Sequence, residues 1–261
     1  MRLDFDYLKY LGRLGAADIH PLGAAGTAAL LLAAAVRPGM RVLEIGCGTG
    51  QTLWRLRRRG ARAVGVELLP EMLAAARARL AQEGGATPVS LVRGRGHCLP
   101  MPANTFDRAL TESVLGFQDV QVATDMLSEL WRVLRPGGLY VANEAIWKPD
   151  VSPEQADVIN ARALAHFGLR QASDAPWSVR EWRQAMERAG FEVLSAAILR
   201  PVPAFAEDAP SVTVRINWRH GASPRLLWRR WYYRRRLRQH HADGQAIESR
   251  LFVLRKPEGL V

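Results

Sequence analysis

The sequence predicts an α/β fold, a doubly wound, mostly parallel, seven-stranded sheet with helical cap insertions. Three observations predict it. Short runs rich in Val and Leu alternate with helical patterns, as βαβ units require. A glycine-rich turn joins the first such run to a helix. One extra helix opened by a capping box and one basic, aromatic stretch then break the rhythm late in the chain. With 261 residues, 48% of them apolar, the chain has ample material for a buried core.

The N-terminal "MRLDFDYLKYLGRLG" carries acids and no continuous apolar stretch, so it does not look like a signal peptide. Residues 1–37 are expected to form a helical lid. The run "TAALLLAAAV", Thr27 to Val36, is shorter than the ~20 residues a membrane crossing needs. Cys47 and Cys98 give neither a disulfide framework nor a metal-ligand spacing. A soluble, cytoplasmic protein without a transmembrane segment or a metal is therefore expected.

The core is expected over residues 38–147, with strands "RVLEIG" (41–46), "ARAVGVE" (61–67), "PVSLVRG" (88–94), "FDRALTE" (106–112) and "GLYVANEAIW" (138–147). Between them a helix begins at Pro70, keeps Met72, Leu73, Ala76 and Leu80 on one face and stops at Gly84-Gly85. "ATDMLSELWRVLRPGG" predicts another, ended by Pro-Gly-Gly. A cap insertion spans 148–177, where Ser152, Pro153 and Gln155 open an extra helix as a capping box. Ser178 and Glu181 form a second box, and the core resumes over 178–200 with a helix and the strand "FEVLSAAIL". A basic aromatic insertion, 201–245, precedes a final strand at 246–257. Inside that insertion "SVTVRINW" alternates like one more short strand.

"VLEIGCGTG", Val42 to Gly50, carries the chemistry. A glycine-rich strand-to-helix turn lets a ligand press on bare backbone beside unpaired helix amides. Glu67 stands 21 residues after Gly46, at the end of the second strand, where an acid can accept both hydroxyls of a ribose. A nucleotide-like cofactor follows. Gly46, Gly48 and Gly50 are spaced G-x-G-x-G, whereas a dinucleotide fingerprint needs G-x-G-x-x-G, which makes NAD the lesser option.

Together, "VLEIGCGTG", "AVGVELLPEML", "LPMPANTFD" and "LWRVLRPGGLYV" resemble the class I S-adenosylmethionine-dependent methyltransferases. The likeness is to the small-molecule branch related to ubiquinone/menaquinone-biosynthesis enzymes. It implies a Rossmann-like sheet, S-adenosyl-L-methionine as cofactor and methyl transfer to a small-molecule acceptor. It also implies that Glu44 with Gly46, Cys47, Gly48 and Gly50 holds the methionine end, Glu67 the ribose, and Leu68 and Met72 the adenine. Thr111, Glu112 and Ser113 would face the sulfonium and the substrate. One departure stands out: the family's Gly-Asp-Ala is Gly94-Arg95-Gly96 here, and arginine offers donors only. The adenine amino group must then turn to His97, a backbone carbonyl near Gly96 or Cys98, or water.

Displacement from a sulfonium needs placement and exclusion of water more than a triad. A base helps only where the acceptor must lose a proton, and the candidates are His20, Glu112 and Glu144, with His97 beside them. Leu68 and Met72 also fit plain core, and His20 a surface histidine before Pro21.

Seven arginines between Pro224 and His241, with no acid, supply most of a net charge of +11 and leave +4 for the rest. On a helical wheel Leu226, Tyr233 and Leu237 form one stripe, Leu227 and Trp231 a second, Trp228 and Tyr232 a third. Such a helix packs between elements or covers a pocket. A cap over a small-molecule site, a contact for RNA in an RNA methyltransferase, and a membrane-interface or homodimer helix all fit. A non-catalytic cofactor-binding protein of the same fold is the third functional class.

Overall fold

The computed structural model describes residues 5–82, 87–202, 224–240 and 242–259. Seven strands form one sheet: β1 (Arg41–Ile45), β2 (Arg62–Glu67), β3 (Val89–Arg93), β4 (Phe106–Glu112), β5 (Leu134–Trp147), β6 (Glu192–Ile198) and β7 (Ile247–Arg255). Their order is β3-β2-β1-β4-β5-β7-β6. β7 runs antiparallel to β5 and β6, and every other pair is parallel. The mostly parallel, seven-stranded sheet is thus the one the sequence predicts.

The described helices are α1 (Asp6–Leu14), α2 (Gly23–Ala34), α3 (Gln51–Arg58), α4 (Pro70–Gln82), α5 (Val120–Val133), α6 (Pro153–Phe167), α7 (Val179–Arg188) and α8 (Pro224–Gln239). Successive strand residues point to opposite faces and so build two cores. Val42, Leu110 and Val141 pack with Leu30 and Leu31 of α2 and Leu53 and Leu56 of α3. Leu43, Ala109 and Tyr140 pack with Leu127 and Leu130 of α5 and Trp182 of α7.

Both capping boxes form. Ser152 Oγ accepts from the Gln155 amide at 3.2 Å while Gln155 Oε1 accepts from the Ser152 amide at 3.0 Å. The Ser178 amide donates to Glu181 Oε2 at 3.0 Å.

Two expectations change. α2 is no lid: Thr27 to Leu31 are buried against the sheet, leaving only α1 and the turn that follows it as an N-terminal cover. The Pro-Gly-Gly after α5 does not sit in a loop. α5 ends at Val133 and β5 starts at once, with pairing to β4 jumping from Phe106–Leu134 to Arg108–Leu139 across a bulge that takes up Pro136 to Gly138. Finally, "SVTVRINW", the Gly84-Gly85 stop and the side chains of Leu226 and Leu227 lie outside the described residues.

The strand order reverses direction between β1 and β4, so the ends of those strands leave a crevice open to a ligand. Glu44 of β1, Gly46 just after it and Glu112 of β4 meet there.

Candidate active site

A cavity of about 670 Å³ lies over that crevice, a size suited to a nucleotide-like ligand with a small acceptor. Its floor is the glycine turn. Gly46 takes φ 70°, and a Cβ there would lie 2.5 Å from Val114 Cγ2. Gly50, at φ 77°, is not on the cavity wall: a Cβ there would lie 2.9 Å from Ala76 Cβ, so this glycine lets α3 pack on α4.

Three amides of the turn are already used. Gly46 and Cys47 donate to the Val66 carbonyl at 2.7 and 3.2 Å, and Gly48 donates to Glu67 Oε2 at 3.1 Å. Glu67 Oε1 accepts from the Leu69 amide at 2.8 Å. Each carboxylate oxygen has a second lone pair to offer. Beside these donors the cavity presents acids: Glu44, Glu67 and Glu112 all line it. Burial pushes the Glu44 carboxyl well above its ordinary value, helped by the Glu112 and Glu67 carboxylates and opposed by Arg55. Burial also raises Glu67, against the backbone amides that hold it. The buried Oε2 of Glu44 has no hydrogen-bond partner among the described residues. A pyrophosphate would face those acids unfavourably, whereas a cationic ligand would satisfy them.

Opposite the glycine turn His20 and Glu112 form a pair, with His20 Nδ1 3.3 Å from Glu112 Oε2. Glu112 also accepts from Thr52 at 2.9 Å, Thr27 at 3.1 Å and the Asn143 amide at 3.4 Å. Thr27 Oγ1 stands 3.1 Å from His20 Nε2. The loop carrying His20 is pinned by Arg55, which is 1% exposed and forks onto Asp18 at 2.7 and 3.1 Å. Arg79 secures the same loop through the Gly15 carbonyl at 3.0 Å, and Thr49 Oγ1 through the Ala16 carbonyl at 2.7 Å. Asp18, Leu22 and Ser113 flank the pair with φ of 53°, 61° and 54°, a region costly for any residue with a side chain.

Tyr7, Leu8 and Leu11 of α1, Phe167 of α6 and Leu237 of α8 roof the cavity. Tyr7, Tyr10, Phe167 and Tyr233 pack as one aromatic cluster, which locks α8 onto α1 and α6.

Of the residues singled out from sequence, His20, Glu44, Gly46, Cys47, Gly48, Glu67, Leu68, Met72, His97 and Glu112 line the cavity, as does Arg95. Glu144 does not. Its Oε2 accepts from the Val114 and Gly116 amides at 2.9 and 3.0 Å and its Oε1 from Thr111 at 2.7 Å, which spends the carboxylate on holding the chain after β4. Thr111 is fully buried between Glu144 and the Tyr140 hydroxyl, so it too stands behind the wall. Cys98 is exposed and off the wall, while burial beside Glu44 and Glu67 keeps the Cys47 thiol protonated. Asp18, Thr27, Thr52, Arg55 and Asn143 were not foreseen. A hydroxyl inside the apolar run at Thr27 was the one visible signal, since Arg55 looks like its neighbours Arg57 to Arg59.

The methyltransferase-domain family matches residues 42–138. An uncharacterized methyltransferase of Bacillus subtilis (strain 168), YodH, is 32% identical over 195 residues, covering 75% of this chain and 78% of that one. The ubiquinone/menaquinone biosynthesis C-methyltransferase UbiE of Cupriavidus taiwanensis is 33% identical over 148 residues, 55% of this chain and 58% of its own length. The chain belongs to the class I S-adenosylmethionine-dependent methyltransferases. The crystal structure of the [4+2]-cyclase SpnF superposes with a TM-score of 0.69 at 22% identity, covering 94% of this chain and 84% of SpnF, a likeness of fold alone.

This methyltransferase uses S-adenosylmethionine, and its cavity suits that cofactor's charge: the unpartnered Glu44 oxygen and the acids around it call for a cation. The cofactor supplies a methyl group on a sulfonium, an excellent leaving group. Among the described residues no helix is long and apolar enough to cross a membrane.

Proposed function

We propose that this enzyme methylates a small, largely apolar acceptor that must lose a proton as it reacts. Glu67 takes the ribose hydroxyls on its free lone pairs and Glu44 faces the cationic end of the cofactor. Leu68, Met72 and His97 wall the adenine, with Arg95 in place of the usual aspartate. His20, oriented by Glu112, removes the acceptor proton. α6 and α8 serve as the substrate cap, and water is kept from the reacting atoms by Tyr7, Phe167 and Leu237.

One observation carries this: the His20–Glu112 pair opens into the same roofed cavity as the glycine turn. A cavity closed by an aromatic cluster suits a compact acceptor better than a nucleic-acid strand. The similarity to UbiE, a C-methyltransferase by name, agrees with an acceptor whose carbon or oxygen sheds a proton.

The test pairs calorimetry with turnover. S-adenosylhomocysteine should bind the native protein, and Glu67→Ala should weaken it by roughly 1–3 kcal/mol, the worth of hydrogen bonds to a charged group. Labelled methyl transfer should appear with small phenolic or enolisable acceptors and hardly change with salt. Unchanged affinity in Glu67→Ala, or turnover found only on RNA and lost at high salt, would overturn the assignment.

A further inference from the structure

We infer that the outward face of α8 docks the enzyme on an anionic lipid surface. The helix has two unlike sides. Tyr233 and His240 are buried, against Tyr7, Tyr10 and Phe167, which fixes the rotation of the helix about its axis. The direction opposite them is held by Trp231, with Arg234, Arg235 and Arg238 around it and Arg230 beside them. Trp231 and Trp228 are 56% and 58% exposed. The guanidinium of Arg235 lies over the Trp231 ring, 5.6 Å from its centre, and Arg236 lies over Tyr232 at 5.2 Å.

Among the described residues, four of these cations have no acid partner. Arg229 reaches Asp6 at 3.8 Å. Among the described residues no ion pair involves Arg230, Arg234, Arg235 or Arg238, and the segment 224–241 contains no acid. Tryptophan set among arginines on a convex helix is the chemistry of the water–lipid boundary. The indole sits at headgroup depth while the guanidinium groups meet lipid phosphates.

A basic aromatic helix also suits single-stranded nucleic acid. Position in the fold favours lipid. The inner side of the helix forms part of the cavity roof through Leu237 and His240, and Leu237 is itself half exposed. Docking through the outer side would bring the largely apolar roof of the cavity to the phase where apolar acceptors dissolve. Only that last step rests on the proposed function; the docking stands on the helix alone and is measured without turnover.

The experiment is flotation of the full-length protein with phosphatidylcholine vesicles and with vesicles rich in phosphatidylglycerol. Binding to the anionic vesicles alone is expected, with a blue shift of tryptophan fluorescence and release by salt. Each arginine near the surface contributes about fivefold to partitioning, so Arg234→Glu with Arg238→Glu should abolish flotation. Trp231→Ala should weaken it several-fold. Both variants should keep the melting temperature and the affinity for S-adenosylhomocysteine of the native protein. Equal flotation with both vesicle types, none with either, competition by an RNA homopolymer that strips the protein from vesicles, or Trp231 buried by self-association would each overturn the inference.

Discussion

His20 Nδ1 lies 3.3 Å from Glu112 Oε2 at the mouth of the crevice between β1 and β4. A buried acid that also accepts from Thr27, Thr52 and Asn143 cannot swing, so it fixes the imidazole ring and favours a proton on the nitrogen nearest to it. Positioned bases contribute ~10²–10⁴ in rate. His20→Ala should therefore lower kcat by about that factor with the S-adenosylhomocysteine affinity unchanged. Glu112→Gln should act through the same ring, so the double variant should be little slower than either single one. Additive losses in a double-mutant cycle would show that the two side chains work separately.

Asp18 and Arg55 hold the loop that carries His20. Arg55 is buried, and removing its partner leaves an unmatched charge inside the protein. Breaking such a pair costs ~3 kcal/mol or more. Asp18→Asn should thus lose about 3 kcal/mol in urea unfolding and lower kcat more than it raises KM for the cofactor. Stability equal to the native protein's would show that Arg55 finds another acceptor.

Which parts of this were legible in the sequence follows from how local each signal is. The sheet and the helix starts at Ser152 and Ser178 depend on neighbours in the chain, and they form as expected. Glu144 reads from the sequence as a base and is not one on the cavity wall, because the end of a strand tells where a side chain is, not which groups compete for it. Two backbone amides and Thr111 claimed its oxygens. The acids Glu44 and Glu67 can be read from the sequence, but only the folded chain shows that Val66 and Glu67 of β2 take up the Gly46, Cys47 and Gly48 amides. Thr52 of α3 and Asn143 of β5 meet at Glu112 of β4, and Arg55 of α3 meets Asp18, only in the folded chain. The same holds for α8, where the sequence gives several apolar stripes and packing decides that Tyr233 turns in while Trp231 turns out.

Glu44, proposed above to face the cationic end of the cofactor, is buried at a cost to the free protein. Its carboxyl titrates well above the ordinary 4.5 because of burial and the Glu112 and Glu67 charges. The folded state thus binds the proton more tightly than the unfolded chain, and stability from this group is full below that ordinary value and lost as pH rises through the raised one. Glu44→Gln should therefore stabilise the free enzyme at neutral pH by on the order of 1 kcal/mol. The gain should fade below about pH 4. The same change should weaken the cofactor about tenfold or more, since a charged contact is lost. Thermal scans across pH, with and without S-adenosylhomocysteine, would check both signs, and a variant less stable than the native enzyme at every pH would refute the strain.

Acid should loosen the roof. His240 Nδ1 lies 2.8 Å from Asp243 Oδ2, and its Nε2 lies 2.7 Å from His166 Nδ1 of α6, which ties α8 to the cap. Burial lowers the titration of both rings below the ordinary 6.5. Arg162 and Arg236 push the same way, and Asp243 opposes them. The unfolded chain therefore takes up these protons first, so the stability from the neutral pair is full above about pH 6.5 and is lost as pH falls through the depressed values. At most one proton fits between two imidazoles in contact, so protonating both should part α8 from α6. Amide exchange in residues 228–240 should speed up on acidification from neutral pH to about pH 5, while exchange in β1 and β4 stays slow. His166→Gln should flatten that dependence, because a neutral amide can bond His240 without titrating. Exchange in α8 that ignores pH in the native protein would show that the two rings do not hold the roof.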